Sequence, residues 1–432
     1  MNEFDQEEVK ACMYMLSKAD DPSAAVSAWT LLQRKHPRLS AMVSLSNYDK
    51  VVLPPWLKKY SAKPNNFLVP YFSTEKMYFL DDELLFEMFS SGEDFKFRID
   101  YTLMFDTNIA TYVNKLVRGE PLGNIQPRLV ALVDNILHDD LNFDHLFYMA
   151  ENVKNVFPQI ERNATSKRAF WRSLAKGFRQ NLVSLQVFRS IDCKEYRRTS
   201  NPRPQFTYRQ AARHAIDFTY DFYASEIGRD HILNFVLVQK MILLQLIGMV
   251  RIQLSSGKSA RYKMGEYFKF IHEVVGAYFD REAIIAHKYF NNRNTMATLE
   301  KIKKGCGKKG LLKKLDNIAW DMAAPRFMEK LIVAGGEGRY FIPMFLTFDA
   351  GLRELLEHYP VKGVMFNKES GAFAPISSIN TRDYFKQNGC QNEIDHLYSD
   401  PVRSERLSRP KPTRLIIHRL IRREYKALRS LI

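Results

Sequence analysis

The sequence predicts an α/β protein: a parallel sheet flanked by helices, with a large all-helical insertion and a helical N-terminal region. Two apolar runs point to the sheet. Tyr101 to Phe105 and Tyr340 to Phe348 contain no charge, and each stops on an acid, Asp106 or Asp349, followed by residues that open a helix. The third observation is residues 158–300, where aromatic-rich segments at helical spacing leave no strand of comparable quality.

Composition narrows the function classes. The chain has 432 residues, 46% hydrophobic and 26% charged, which is ordinary for a folded protein and excludes a largely disordered one. Its net charge of +16 favours polyanionic partners, nucleic acid above all. Cys12, Cys193, Cys306 and Cys390 lie far apart and form no CxxC pair, so neither a disulfide framework nor a structural zinc site is expected. The acidic N-terminal residues lack the basic and apolar regions of a signal peptide, and a cytoplasmic location is expected. The most apolar stretch, Ile232 to Val250, contains Asn234, Gln239, Lys240 and Gln245 and reads as a buried helix rather than a membrane span.

Five regions follow in order. Residues 1–65 form a helical region and linker: helices over 6–18 and 22–35, the second opened by Asp21 and Pro22, then a proline-rich stretch with Pro37, Pro54, Pro55 and Pro64. Residues 66–157 hold the first part of the α/β domain. Short strands are expected at 67–72 and 76–80, with a helix opened by Asp81-Asp82-Glu83. The strand ending at Asp106 comes next, then helices to Val117, over 127–138 and over 143–156, with Thr107 or Asn108 capping the first and Asn142 the last. Residues 158–300 are the helical insertion. Residues 301–375 complete the α/β domain, with a mobile glycine-broken lysine segment at 301–314 and a helix that Pro325 must bend or interrupt. Pro343 likewise falls where an unbroken strand is expected. Residues 376–432 are a basic tail with an amphipathic helix, whose stripe is Ile417, Leu420, Ile421, Tyr425, Leu428 and Leu431.

Ligands bind at the carboxyl ends of strands in open α/β sheets, so Asp106 and Asp349 are placed to converge at one sheet edge. Carboxylates there, joined by acids from intervening helices, suit a hard divalent cation such as Mg²⁺ or Mn²⁺. Other chemistries lack support, since the histidines are scattered and no GxGxxG, Walker-type or GxSxG motif occurs.

Phe105-Asp106-Thr107-Asn108-Ile109 resembles the first motif of PIN-domain ribonucleases, Asn317-Ile-Ala-Trp-Asp321-Met-Ala-Ala their third, and Leu346-Thr347-Phe-Asp349-Ala-Gly-Leu their closing strand and acid. For the family's second acid, Glu151 is the best match, with Glu226 and Glu282 as alternatives. The resemblance covers about 97–156 and 311–360 and departs from the family in length, because 243 positions separate Asp106 from Asp349. It implies a PIN-like nuclease in which Asp106, Glu151, Asp321 and Asp349 are the catalytic metal ligands for Mg²⁺ or Mn²⁺, with Thr107, Asn108 and Thr347 in support. RNA is the expected substrate ahead of DNA. A bacterial toxin or phage-defence role follows only by family analogy.

Two basic segments fit a nucleic-acid partner. Lys301, Lys303, Lys304, Lys308, Lys309, Lys313 and Lys314 precede Asp321, and Arg419, Arg422 and Arg423 lie on the C-terminal helix. An inhibitor or regulatory protein and a homo-oligomer are further expected partners. The alternative is a non-enzymatic nucleic-acid-binding or assembly protein with structural acids.

Overall fold

The computed structural model describes residues 4, 6–32, 35–48, 68–74, 76–91, 97–163, 166–292, 297–300, 302–410 and 412–432. Pro54, Pro55 and Pro64 of the expected linker, and Lys301, lie outside them.

The described strands are β1 (Leu39–Ser44), β2 (Leu68–Pro70), β3 (Met77–Leu80), β4 (Ile99–Phe105), β5 (Phe143–Asp144), β6 (Tyr340–Leu346), β7 (Val361–Asn367) and β8 (Ala372–Ser377). They form two four-stranded sheets, ordered β2-β6-β4-β5 and β3-β1-β7-β8. In the first, β4 pairs in parallel with β6 from Ile99 opposite Tyr340 to Phe105 opposite Leu346, and also in parallel with β5. The predicted parallel core is present, with β2 added antiparallel at one edge. The register sets the ends of β4 and β6 level, so 243 positions of sequence close to a sheet-strand spacing.

Pro343 sits inside β6 without disturbing this pairing. The Leu346 carbonyl accepts from the Asp106 amide, so alternate residues of β6 turn their backbone toward β4. Pro343 therefore faces the β2 side, where β2 ends with Pro70 opposite Met344, and its missing N–H removes no ladder bond.

The second sheet is antiparallel throughout; its β3 matches the strand expected at 76–80, but the sheet itself was not expected from the sequence. Its β1 lies within the stretch read as linker, and β8 begins inside the region assigned to the α/β domain and continues into the expected tail. The N-terminal helices, Glu7–Lys18 and Pro22–Trp29, pack their apolar faces on it through Val9, Cys12, Leu16 and Trp29. Asp21 accepts from the Ala24 amide at 2.9 Å, and Pro22 occupies the first turn, as the sequence predicts.

Residues 167–291 form helices joined by short connections, the only β contact there among the described residues being one isolated bridge, Ile191 to Pro204. This block does not fold away from the sheet. Its longest helix, Glu226–Ser255, shares one core with Leu311–Ala334 and with the C-terminal helix Arg414–Leu431. By length and composition it passes for a membrane span, yet 61% of its apolar window is buried inside the protein. Three of its polar residues have protein partners. Gln245 accepts from the Tyr267 hydroxyl at 3.1 Å, and Gln239 and Lys240 donate to Asp316 at 3.2 and 2.7 Å.

The lysine segment is more ordered than expected. Ile302, Leu311 and Leu315 are buried, and the helix begins at Leu311 with Gly310 at φ +74° ahead of it. Pro325 does not end that helix, which runs on to Ala334 with Pro325 buried within it. What the proline does remove is the donor to the carbonyl four residues earlier, that of Asp321. The expected tail is also integrated. Phe385, Cys390, Ile394 and Leu397 join the core through the short helices Thr381–Gln387 and Gln391–Tyr398, and Ile417, Ile421 and Leu428 of the last helix are buried.

Candidate functional site

Asp106 follows the last residue of β4 and caps the helix Thr107–Val117. Its Oδ1 accepts from the Ile109 amide at 2.6 Å, so Asp106 itself, rather than Thr107 or Asn108, is the cap. Asp349 plays the same part after β6, where its Oδ1 accepts from the Gly351 amide at 2.7 Å and opens the helix Ala350–Glu357. Thr347 ties the two strand ends together. Its buried hydroxyl donates to Asp106 Oδ2 at 2.6 Å and accepts from the Asp349 amide at 2.9 Å.

Glu151 comes from the helix Leu146–Asn163, which starts later than expected because Phe143 and Asp144 are the strand β5. The expected cap Asn142 instead donates to the Tyr101 carbonyl, at 3.1 Å. The Thr107 hydroxyl donates to Glu151 Oε2, joining the first and second acids. Asp321 projects from the middle of Leu311–Ala334, half-buried, and makes no hydrogen bond or ion pair among the described residues.

Electrostatics shows that these residues share one environment. Burial pushes the Asp106 carboxyl up to about 7; the Ile109 and Thr347 hydrogen bonds oppose this, and the charges of Glu151 and Asp349 add to it. Asp321 is held well above the usual carboxylate range, first by burial and then by the charges of Asp349, Glu151 and Asp106. Asp106 and Asp321 are thus both raised by acids that come from other elements. None of the four forms an ion pair with a described Lys, Arg or His, in a chain whose net charge is +16.

The other candidates for the second acid fall elsewhere. Glu282 is buried in a two-point ion pair with Arg326, at 2.6 and 2.5 Å, and Glu226 is exposed in the first turn of Glu226–Ser255. Neither is among the charges acting on Asp106. As the side chains stand, no three His, Cys, Asp or Glu among the described residues group closely enough to hold an ion. The donor set still suits a hard cation. It is all carboxylate, is short of positive charge, and includes Asp321, which has no other partner among the described residues.

The neighbourhood includes polar residues that the sequence did not single out. Asn181, on the helix Lys176–Arg189, donates to the Tyr148 hydroxyl at 3.0 Å and to Thr111 at 3.3 Å, while Ser184 donates to Asn114 at 2.7 Å. The helical block therefore braces the helix that Asp106 caps. Tyr148 was legible as a neighbour of Glu151, three residues earlier on one helix face, whereas Asn181 had no local signal. Asn108 is exposed and makes no hydrogen bond among the described residues.

Lys303, Lys304, Lys308, Lys309, Lys313 and Lys314 are all exposed. Lys314 stands two turns before Asp321, about 10 Å along the same helix face. Arg419, Arg422 and Arg423 are exposed as well, with Arg423 paired to Glu424 at 2.9 Å. The apolar stripe of the last helix is spent on Glu226–Ser255, which leaves its basic face outward.

Compared with known proteins, the chain matches no protein-family model, no curated protein and no solved structure.

Proposed function

We propose that this protein is a PIN-like, Mg²⁺- or Mn²⁺-dependent phosphodiesterase that cleaves RNA. The observation that carries the reading is the uncompensated acidic cluster: the charges of Glu151 and Asp349 raise the Asp106 carboxyl, those two and Asp106 raise Asp321, and no cation among the described residues is paired to any of the four. Asp106 is buried, Glu151 and Asp321 are half-buried and Asp349 is exposed; like charges gathered around a buried carboxylate are costly, and a divalent cation is the ordinary remedy. The level ends of β4 and β6 add support, since a parallel sheet offers its strand ends as a ligand edge.

On this reading the four carboxylates hold the cation, which when bound supplies an activated water and offsets charge on the scissile phosphate. Thr347 orients Asp106 and restrains Asp349, and Thr107 orients Glu151. The exposed lysines from Lys303 to Lys314 hold the phosphate backbone without reading sequence. Asp106→Asn and Asp349→Asn are expected to abolish Mg²⁺- or Mn²⁺-dependent cleavage of RNA while keeping the circular-dichroism spectrum. Wild-type cleavage by both variants would refute the assignment.

A second reading has its own observation. Asp106 and Asp349 are both satisfied helix caps, which is a structural task in itself. A non-enzymatic nucleic-acid-binding protein would retain salt-sensitive RNA binding and show no metal-dependent turnover.

A further inference from the structure

Away from the acidic cluster, a cleft of about 930 Å³ opens between the helix Glu7–Lys18, β8, the start of the helix Asp280–Asn291, the second half of Leu311–Ala334 and residues 380–406. Lys330, on its wall, lies nine residues beyond Asp321 on a continuous helix and so on the opposite face. The cleft and the acidic cluster are two sites on either side of one helix.

The lining contains seven cations and three acids. Several of these charges are already committed. Lys10 pairs with Glu7 at 2.9 Å, Arg281 with Glu329 at 2.7 Å and Arg326 with Glu282 at 2.5 Å. Asp280 accepts from the Tyr398 hydroxyl at 2.7 Å, and burial raises its carboxyl, which weakens its claim on a cation.

Lys330, Arg382 and Arg406 are different. None has a carboxylate partner among the described residues. The Lys330 ammonium, half-buried, lies over the Phe235 ring at 5.7 Å; Arg382 lies over Tyr398 at 4.9 Å; Arg406 donates to the Leu397 carbonyl at 3.2 Å. Burial pushes both Lys330 and Arg406 down. A half-buried cation facing a cleft without a counterion is a standing cost that an anionic ligand removes.

The apolar part of the wall adds shape. Tyr359 and Phe279 are covered by Arg281 and Arg326, at 5.2 and 4.8 Å, but the partly exposed ring of Phe373 on β8 has no ring or cation partner among the described residues. The volume is far more than a lone phosphate needs and falls in the range of clefts that take small organic ligands. We infer that this cleft binds a nucleotide, with Lys330, Arg382 and Arg406 holding the phosphates and Phe373 stacking the base. The inference stands independently of the nuclease reading, because it uses none of the four acids.

The test is isothermal titration of the full chain, in a chelator, with ATP, tripolyphosphate and adenosine as probes. ATP is expected to bind one to one, and tighter than either fragment by roughly tenfold or more. Lys330→Gln and Arg382→Gln each weaken ATP by about tenfold, the scale of one charge-assisted contact. Phe373→Ala weakens ATP but leaves tripolyphosphate unchanged. Asp106→Asn binds ATP like the wild type. Without ligand, Lys330→Gln melts no lower than the wild type, since it removes an uncompensated ammonium. No saturable ATP binding up to about 1 mM, which corresponds to roughly −4 kcal/mol, overturns the proposal. So does unchanged affinity in both charge variants, equal affinity for ATP and tripolyphosphate, or loss of binding in Asp106→Asn.

Discussion

Asp106→Asn is predicted to stabilise the metal-free protein at neutral pH and to leave it unchanged in acid. The Asp106 carboxyl sits at about 7 in the folded chain against an ordinary 3.8, with burial as the main cause. A carboxyl raised on folding binds its proton more tightly in the native state, so its penalty is absent below about pH 4, grows as the pH climbs, and is complete above about pH 7. Three units correspond to about 4 kcal/mol at most, at 1.36 kcal/mol per unit. The asparagine keeps an oxygen for the Ile109 amide, and the Thr347 hydroxyl can accept from the new amide, so the capping geometry survives. The assay is urea unfolding of both proteins in chelator at about pH 4, 5.5 and 8. The variant should gain about 2–4 kcal/mol at pH 8, roughly half of that at pH 5.5 and nothing at pH 4. Asp144, also raised by burial, to about 6, is present in both proteins and cancels in the comparison. A variant less stable than the wild type at every pH would show that Asp106 is a cap whose charge costs nothing, and would refute the reasoning.

Two further predictions concern the scaffold. Arg326→Met strands the buried Glu282 carboxylate, whose side chain is 1% exposed, and should cost about 3–5 kcal/mol in urea unfolding; Glu282→Gln added to it should recover much of the loss. Leu428→Ala, at a fully buried position of the last helix, should cost about 2–5 kcal/mol. Arg422→Gln, on the exposed face of that helix, should change stability by less than about 0.5 kcal/mol. It should also lower the salt slope of RNA binding by about one.

The strand ends were readable because their signal is local. An uncharged run, an acid and a helix start fall within eleven residues at both Asp106 and Asp349, and no distant partner is needed to see them. Glu151 and Asp321 were legible as acids on helices, but their common environment depends on the parallel pairing of β4 and β6, which no local pattern encodes. The second sheet escaped for opposite reasons. In β7, Lys362 and Gly363 interrupt the apolar pattern, yet both are accommodated: Lys362 reaches Asp20 at 3.1 Å, and Gly363 lets the strand pass Met42, whose carbonyl would stand 2.5 Å from any Cβ there. β1 was hidden beside prolines; in the first sheet β5, at two residues, is too short to carry a pattern. The long helical stretch reads as an insertion because sequence distance does not reveal spatial distance. Ser184 on Asn114 and Asn181 on Thr111 place it against the helix that Asp106 begins.

The most direct measurement is the anomalous difference map of crystals grown in Mn²⁺. The account predicts a peak bound by oxygens of Asp106, Glu151, Asp321 and Asp349 at roughly 2–2.5 Å, reached by side-chain rotations. A well-ordered cluster with water in place of the ion, in crystals that take up Mn²⁺ elsewhere, would contradict it.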